Sequence, residues 1–116
     1  MSKRISNSTS KSICFYFQVH QPYRLNKFSY FDINSNKPYF SEDNREILKK
    51  VTEKCYLPAN KTISKLLAKY PEFRASYSIS GVMLDQCEQY DHKLLASFQK
   101  LALDKRIEFL NETYYH

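Results

Sequence analysis

Three short segments rich in β-branched and aromatic residues lie far apart in this sequence, and stretches with the apolar spacing of helices separate them. The segments span residues 13–19, 73–79 and 107–110. Strands joined through helical crossovers pair in parallel, whereas tight turns join antiparallel strands. The sequence therefore predicts an α/β fold with three parallel strands and crossover helices, in which the first strand is buried.

Two helices are predicted between the first and second strands. Residues 44–55 and 61–70 each carry one apolar face. Pro58 should break the first helix, because proline lacks the backbone N–H that a helix interior needs. Asn44 and Asn60 are the predicted caps of the two helices, since a short polar side chain can accept a hydrogen bond from the first helical turn.

The remaining connections are a long loop and a second pair of helices. Residues 23–43 mix Asn, Asp, Ser and Pro with aromatic residues and are predicted to be irregular, as functional loops often are. Helices are predicted over residues 82–89 and 92–103, the latter capped by Asp91.

Polar side chains follow or end all three predicted strands. They are His20 and Gln21 after the first, Ser78 and Ser80 at the end of the second, and Glu108 and His116 in and after the third. In a parallel α/β sheet, ligands bind outside the carboxyl ends of the strands. The residues alone therefore predict a binding site at this edge.

Glu108 and His20 each allow two interpretations. Glu108 lies between Ile107 and Phe109, so strand alternation places its side chain on the opposite face from those two residues. A carboxylate in a buried strand is costly unless it is paired or faces a ligand, and the alternative is a side chain in solvent. His20 is either a functional imidazole or a residue that caps the strand end and bonds to backbone.

The spacing of histidines and carboxylates along the sequence does not indicate a metal site or a catalytic site. His20, His116 and Glu108 lack the local pairing typical of metal sites, so neither a metal nor a cofactor is predicted. Hydrolysis by paired carboxylates usually needs the two groups about 5–9.5 Å apart. Only Glu108 and Glu112 stand together, without an evident partner on another strand, so no catalytic residue is predicted in this chain.

The composition of the chain indicates which classes of binding partner and which cellular compartment to expect. The net charge is +6, but the lysines are scattered among glutamates, so no nucleic-acid partner is predicted. No apolar run is long enough for a membrane span or a signal peptide, and no membrane contact is predicted. The three cysteines Cys14, Cys55 and Cys87 fall at apolar positions without CxxC pairs. They predict core thiols in a reducing compartment, and hence a cytoplasmic protein.

Two regions are predicted along the chain. Residues 1–12 are polar and Ser-rich and are expected to be a disordered leader. Residues 13–116 are expected to form one unit, because the strand and helix patterns continue through them without an internal repeat or linker.

Four segments spread over this unit form a recognisable pattern when taken together. They are CFYFQVHQPYRL (residues 14–25), KCYLPAN (54–60), SYSISGVMLDQ (76–86) and IEFLNETYYH (107–116). In this order and spacing they resemble the α-amylase-type members of glycoside hydrolase family 57. The resemblance implies an incomplete (β/α)7 barrel, a retaining mechanism and an α-glucan or maltooligosaccharide as the substrate.

The resemblance also implies roles for individual residues. His20 and Gln21 fall in the family's HQP signature, and Glu108 falls in the strand signature that ends in E-F-L; both signatures belong to the substrate cleft. We expect His20, Gln21, Glu108 and His116 to bind substrate. The family's nucleophilic Glu and acid/base Asp belong to later signatures, downstream of His116. The sequence departs from the family at Lys105, where a glycine is usual.

The sequence thus predicts a truncated piece of a retaining glycoside hydrolase of carbohydrate metabolism, inactive by itself. The parent activity is of the α-amylase or 4-α-glucanotransferase type, and the residues do not decide between the two. The alternative is a non-catalytic carbohydrate-binding protein built from the same cleft wall. A nucleic-acid-binding domain ranks third, because it would need clustered basic residues beside exposed aromatic rings. The oligomeric state is left open.

Overall fold

The computed structural model describes residues 10–116, and a parallel sheet of three strands lies at its centre. In space, as in sequence, the strands are β1 (Tyr16–Val19), β2 (Ala75–Ile79) and β3 (Ile107–Phe109). β2 pairs in parallel with both neighbours. The predicted α/β fold with three parallel strands is therefore confirmed. The predicted leader, residues 1–12, lies largely outside the described residues.

The first strand is not buried as predicted. Residues 13–15 precede β1 without regular structure, and Tyr16 is 53% exposed. Within β1 only Val19 is buried. β1 is an edge of the sheet, and an edge strand has a neighbour on one side only, so its aromatic residues are not enclosed.

Residues 43–69 form one helical run where two separate helices were predicted. Its parts are α1 (Asp43–Val51), a π-helical turn (Thr52–Tyr56) and α2 (Leu57–Lys69). Leu57 donates its N–H to the Thr52 carbonyl, five residues back. Pro58 then lies in the first turn of α2, where a helix tolerates a residue without an N–H. The prediction that Pro58 breaks the helix is wrong for this reason.

The two asparagines predicted as caps lie inside this helical run and connect it to other segments. Asn44 is buried, donates to the Arg24 carbonyl at 3.0 Å and accepts from the Arg24 N–H at 2.8 Å. Asn60 is buried and donates to the Ser97 hydroxyl at 2.9 Å. Both capping predictions are wrong, because buried amides need hydrogen-bond partners and these two find them in distant segments.

Two helices connect β2 to β3, as predicted. They are α3 (Gly81–Tyr90) and α4 (His92–Ala102). Ser80 caps α3 by accepting the Met83 N–H at 3.2 Å. Asp91 caps α4 by accepting the Leu94 N–H at 3.0 Å, which confirms the predicted cap.

The loop between β1 and α1 is irregular, as predicted. It contains a 3-10 turn (Tyr30–Asp32) and an antiparallel bridge between Leu25 and Phe40. Its aromatic rings associate in pairs, among them Tyr23 and Phe40, whose ring centroids are 4.5 Å apart. The loop is attached to α1 at its start by the hydrogen bonds between Asn44 and Arg24.

All four helices pack against one face of the sheet in a single core. The strands contribute Val19, Ala75, Tyr77 and Ile107 to this core, and each helix contributes at least one buried residue: Leu48, Ile63, Met83 and Leu94, for example. The other face of the sheet lies outside the core. The sheet is therefore apolar on one side only, as expected where one side is buried.

Only one of the three cysteines is the core thiol that was predicted. Cys87 is fully buried in α3, and this burial raises its pKa to about 12. Cys14 and Cys55 are exposed, so the prediction is wrong for both. Cys14 precedes β1, and Cys55 lies in the π-helical turn, whose wider spacing moves it off the apolar face.

Candidate functional site

The sheet face away from the core carries polar side chains in register across the strands. Tyr16, Ser76 and Glu108 form one row, and Gln18 is paired with Ser78 two residues further along. The residues between them in each strand point towards the core, because strand side chains alternate. The Tyr16 and Ser78 hydroxyl oxygens are 2.6 Å apart. We call these five residues the polar face.

Glu108 is an exposed member of the polar face. Its neighbours Ile107 and Phe109 pack in or against the core on the other side of the sheet. This is the orientation that strand alternation predicts. The Glu108 carboxylate is thus accessible from the polar face, and its role in binding substrate stays a prediction.

His20 follows β1 directly and is oriented by the end of β2. Its Nδ1 lies 2.6 Å from the Ser80 hydroxyl oxygen. Ser80 is fully buried and also accepts the Met83 N–H, so its position is set by the first turn of α3. The interpretation of His20 as a strand cap bonded to backbone is wrong on this point, because a side chain holds the imidazole.

Residues 111–116 fold back over the carboxyl ends of the strands. Val82 donates its N–H to the Tyr114 carbonyl at 3.0 Å, and the Tyr114 ring covers Gly81. A Cβ atom at Gly81 would lie 2.2 Å from Cδ2 of that ring, so this close approach requires glycine. The fold-back brings the His116 ring centroid to 4.8 Å from that of His20.

Gln18, Glu112 and His116 meet next to His20. Gln18 Nε2 lies 2.7 Å from His116 Nδ1 and donates to Glu112 Oε1 at 3.2 Å. His116 Nδ1 is also hydrogen bonded to Glu112 Oε1. We call Gln18, His20, Ser80, Glu112 and His116 the strand-end cluster; it joins residues from or after all three strands.

The charge of Glu112 is stabilised within this cluster. Burial alone would raise the pKa of Glu112, but hydrogen bonds from His116 and Gln18 outweigh burial and lower the pKa. The carboxylate is therefore ionised at neutral pH and can hold His116 in place. A carboxyl group with a lowered pKa is poorly suited to act as a general acid.

Gln21 lies in a second hydrogen-bond network behind His20. Its Nε2 donates to the Tyr56 hydroxyl at 3.0 Å, and its Oε1 accepts from Arg24 Nη2 at 3.1 Å. The Gln21 carbonyl accepts from Gln86 Nε2 at 2.7 Å. The π-helical turn supplies Tyr56, so the widened turn and α3 together fix the backbone that follows His20.

Of the four residues predicted to bind substrate, the structure places His20 and His116 in one cluster and Glu108 on the adjoining polar face. Gln21 adjoins His20, but both ends of its amide are engaged by protein groups. Sequence reasoning missed Gln18 as a cluster member. Its position two residues before His20 in the first strand was the available signal, because that spacing puts both side chains on one face.

Within residues 10–116, no three His, Cys, Asp or Glu side chains come together as possible metal ligands. Nor does any helix in this range have the length and apolar character needed to cross a membrane. The cytoplasmic location stays a prediction.

Known proteins resemble this chain over most of its length. Residues 14–116 match the family described as Glycosyl hydrolase family 57. A protein of Methanocaldococcus jannaschii named "Putative alpha-amylase" is 38% identical over 110 residues, which cover 90% of this chain and 22% of that relative. No solved structure matches the chain. Because the family match includes all three strands and all four helices, the chain belongs to glycosyl hydrolase family 57.

Proposed function

We propose that this chain forms one wall of a cleft that binds an α-glucan or maltooligosaccharide in a retaining glycoside hydrolase. The parent activity is of the α-amylase or 4-α-glucanotransferase type. The observation that carries the proposal is the polar face of the sheet, which continues into the strand-end cluster at His20 and His116. In a family of glycosyl hydrolases, such a surface suits a ligand that is rich in hydroxyl groups.

The proposed architecture is the first part of an incomplete (β/α)7 barrel. The helices α1 to α4 share one core on one side of the sheet. In a barrel the helices form an outer ring, whereas in a doubly wound sheet they cover both faces. One-sided helix packing with a polar opposite face therefore favours the barrel, in which the polar face would line the interior.

Each polar group can perform a defined part of sugar binding. The Glu108 carboxylate can accept hydrogen bonds from sugar hydroxyls, and such charge-assisted bonds are stronger than neutral ones. Ser80 engages Nδ1 of His20, which leaves Nε2 as the nitrogen that can meet a hydroxyl. The ionised Glu112 holds His116 beside His20.

The spacing of these groups favours an oligosaccharide over a single sugar. Glu108 lies in the row of Tyr16, four residues before His20 along the strand direction. At about 3.3 Å per residue this is a separation of roughly 13 Å. One ligand can touch both residues only if it is longer than a single sugar unit.

We also propose that the two catalytic carboxylates belong to the family's later signatures. A retaining mechanism needs a nucleophile and an acid/base group about 5–5.5 Å apart. In this chain Glu112 is hydrogen bonded to His116 and has a lowered pKa, so it does not suit the role of general acid. The 116-residue chain should accordingly bind glucan without hydrolysing it.

The test is isothermal titration calorimetry, which measures the dissociation constant of maltoheptaose from the protein. His20→Ala and Glu108→Gln should each weaken binding at least about tenfold, because each removes a hydrogen bond to or from a charged or polar group. Glu72→Gln is the matched control, since Glu72 is exposed near the opposite end of β2 and should leave the dissociation constant unchanged. Cellohexaose, with β linkages, controls for linkage specificity.

Unchanged binding in both variants, or a loss that only follows unfolding, would refute the proposal. Reducing sugar released from soluble starch by the 116-residue chain would refute the assignment of catalysis to later signatures. If a version carrying those signatures bound maltoheptaose but never hydrolysed or transferred it, the alternative of a non-catalytic carbohydrate-binding protein would be correct.

A further inference from the structure

We propose that the cavity beside His20 is a separate subsite that binds one pyranose unit of the same glucan, with aromatic walls and Asp85 as the hydroxyl acceptor. This inference rests on the proposed function and extends it to residues outside the polar face. The residues that define the subsite are Tyr23, Asp85 and Tyr115.

The cavity has a volume of about 510 Å³. Its walls include His20, Tyr23, Phe40, Asp85, Tyr114 and Tyr115. Ligand cavities typically measure about 300–1,000 Å³. Because His20 belongs to both the cavity and the strand-end cluster, a ligand can pass from one to the other without leaving the protein surface.

The aromatic walls come from two separate segments. Tyr23 and Phe40 belong to the irregular loop, with ring centroids 4.5 Å apart. Tyr114 and Tyr115 belong to the fold-back after β3, with ring centroids 4.7 Å apart. A pyranose ring has apolar C–H faces and a polar rim, so it fits a cavity with aromatic walls and a few placed polar groups.

Asp85 supplies the polar group on the helix side of the cavity. It lies in α3, and no ion pair engages it among residues 10–116. Tyr23 lines the same cavity, and burial, followed by the Coulombic effect of Asp85, raises the pKa of Tyr23. A carboxylate and a phenol that line one cavity can accept hydrogen bonds from neighbouring sugar hydroxyls and donate hydrogen bonds to them.

The polar groups in the cavity disfavour an apolar ligand. A hydrophobic segment of a protein partner could pack on the aromatic rings, but it would remove from water a carboxylate that no ion pair engages among residues 10–116, which is costly. Tyr115 is 77% exposed, so the cavity is open to solvent where Tyr115 forms its wall. An open cavity of this kind admits a unit within a chain, which continues out into solvent.

The test titrates maltoheptaose into the protein and its Asp85→Asn and Tyr115→Ala variants. Each substitution should weaken binding at least about tenfold, and Tyr115→Phe, which keeps the ring, should retain most of the affinity. Glu88→Gln is the matched control on α3, and Tyr30→Ala is the matched control for an exposed tyrosine, because Tyr30 is 81% exposed outside the cavity. Thermal unfolding of each variant reports whether it remains folded.

The results separate this inference from the proposed function. If Glu108→Gln weakens binding while Asp85→Asn and Tyr115→Ala match their controls, the subsite is refuted and the proposed cleft stands. If maltoheptaose fails to bind the folded protein, both are refuted.

Discussion

On the core side of the sheet, Ala75, Tyr77 and Ile107 are 5%, 3% and 6% exposed, whereas on the other side Tyr16 and Glu108 are open to solvent. These side chains alternate along the same strands, so one stretch of backbone faces two environments. Burial on the core side contributes stability. The polar face contributes hydrogen-bonding groups, and a substitution at Glu108, one of its exposed members, should change ligand binding far more than the free energy of unfolding.

Two tyrosines show the contrast at the level of single side chains. Tyr77 lies in the core, where burial raises its pKa to about 12 and its ring stacks on that of Phe109, with centroids 5.5 Å apart. Tyr16 directs its hydroxyl to Ser78 on the polar face. The residue type is the same, and the face of the sheet determines whether the ring or the hydroxyl makes the defining contact.

The largest effect on the free energy of unfolding is expected when a large side chain is removed from the core side of the sheet. Leu94 is fully buried, so Leu94→Ala should lower the free energy of unfolding by about 2–5 kcal/mol. Urea denaturation followed by circular dichroism measures this change. Leu103→Ala is the matched control, because Leu103 is 85% exposed and its loss should cost less than about 0.5 kcal/mol. Equal effects at the two leucines would contradict the assigned core.

A smaller effect is expected where α3 meets the fold-back. Gly81→Ala places a Cβ atom 2.2 Å from the Tyr114 ring, so the ring must move, at a cost of about 1–3 kcal/mol. The displacement should carry His116 away from His20, and nuclear Overhauser contacts between the two imidazoles would report it. In a Tyr114→Ala background the clash disappears, and Gly81→Ala should then be neutral or stabilising, since alanine favours helix over glycine. Retention of the imidazole contacts in the single variant would refute this coupling.

The smallest effect is expected for Glu112, in the pH dependence of the free energy of unfolding below pH 4.5. The pKa of Glu112 in the folded chain is below its ordinary value of 4.5, so this carboxylate stabilises the fold fully above pH 4.5. The contribution is lost as the pH falls through the lower folded pKa. Glu112→Gln should therefore flatten the loss of stability below pH 4.5, measured by urea denaturation between pH 6 and about pH 3. Glu88→Gln is the exposed control, and an identical pH dependence in both variants would show that the contacts of Glu112 do not stabilise its charge.

Local patterns predicted those features that depend on residues near in sequence. The order of strands and helices follows from apolar spacing, and Asp91 caps α4 because an aspartate before a helix meets the N–H groups of its first turn. The orientation of Glu108 follows from its place between Ile107 and Phe109. Each of these depends on contacts within a few residues, which a single sequence displays directly.

Contacts between distant segments decided the rest. Pro58 is a residue type that breaks helices, but the π-helical turn before it lets the helical run continue. Asn60 is a residue type that caps helices, but it lies inside the run and bonds to Ser97. Gln18 and His116 are 98 residues apart in sequence and meet only because parallel pairing aligns β1 with β2 and the fold-back returns over Gly81.

By itself, then, the sequence determined the parallel α/β order, the family and the face on which Glu108 lies, since periodicity and local motifs encode these. The tertiary structure alone decided which polar residues became neighbours. The strand-end cluster and the cavity at Asp85 are built from segments that only the sheet and helices bring together, and their separation in sequence leaves no local pattern to read.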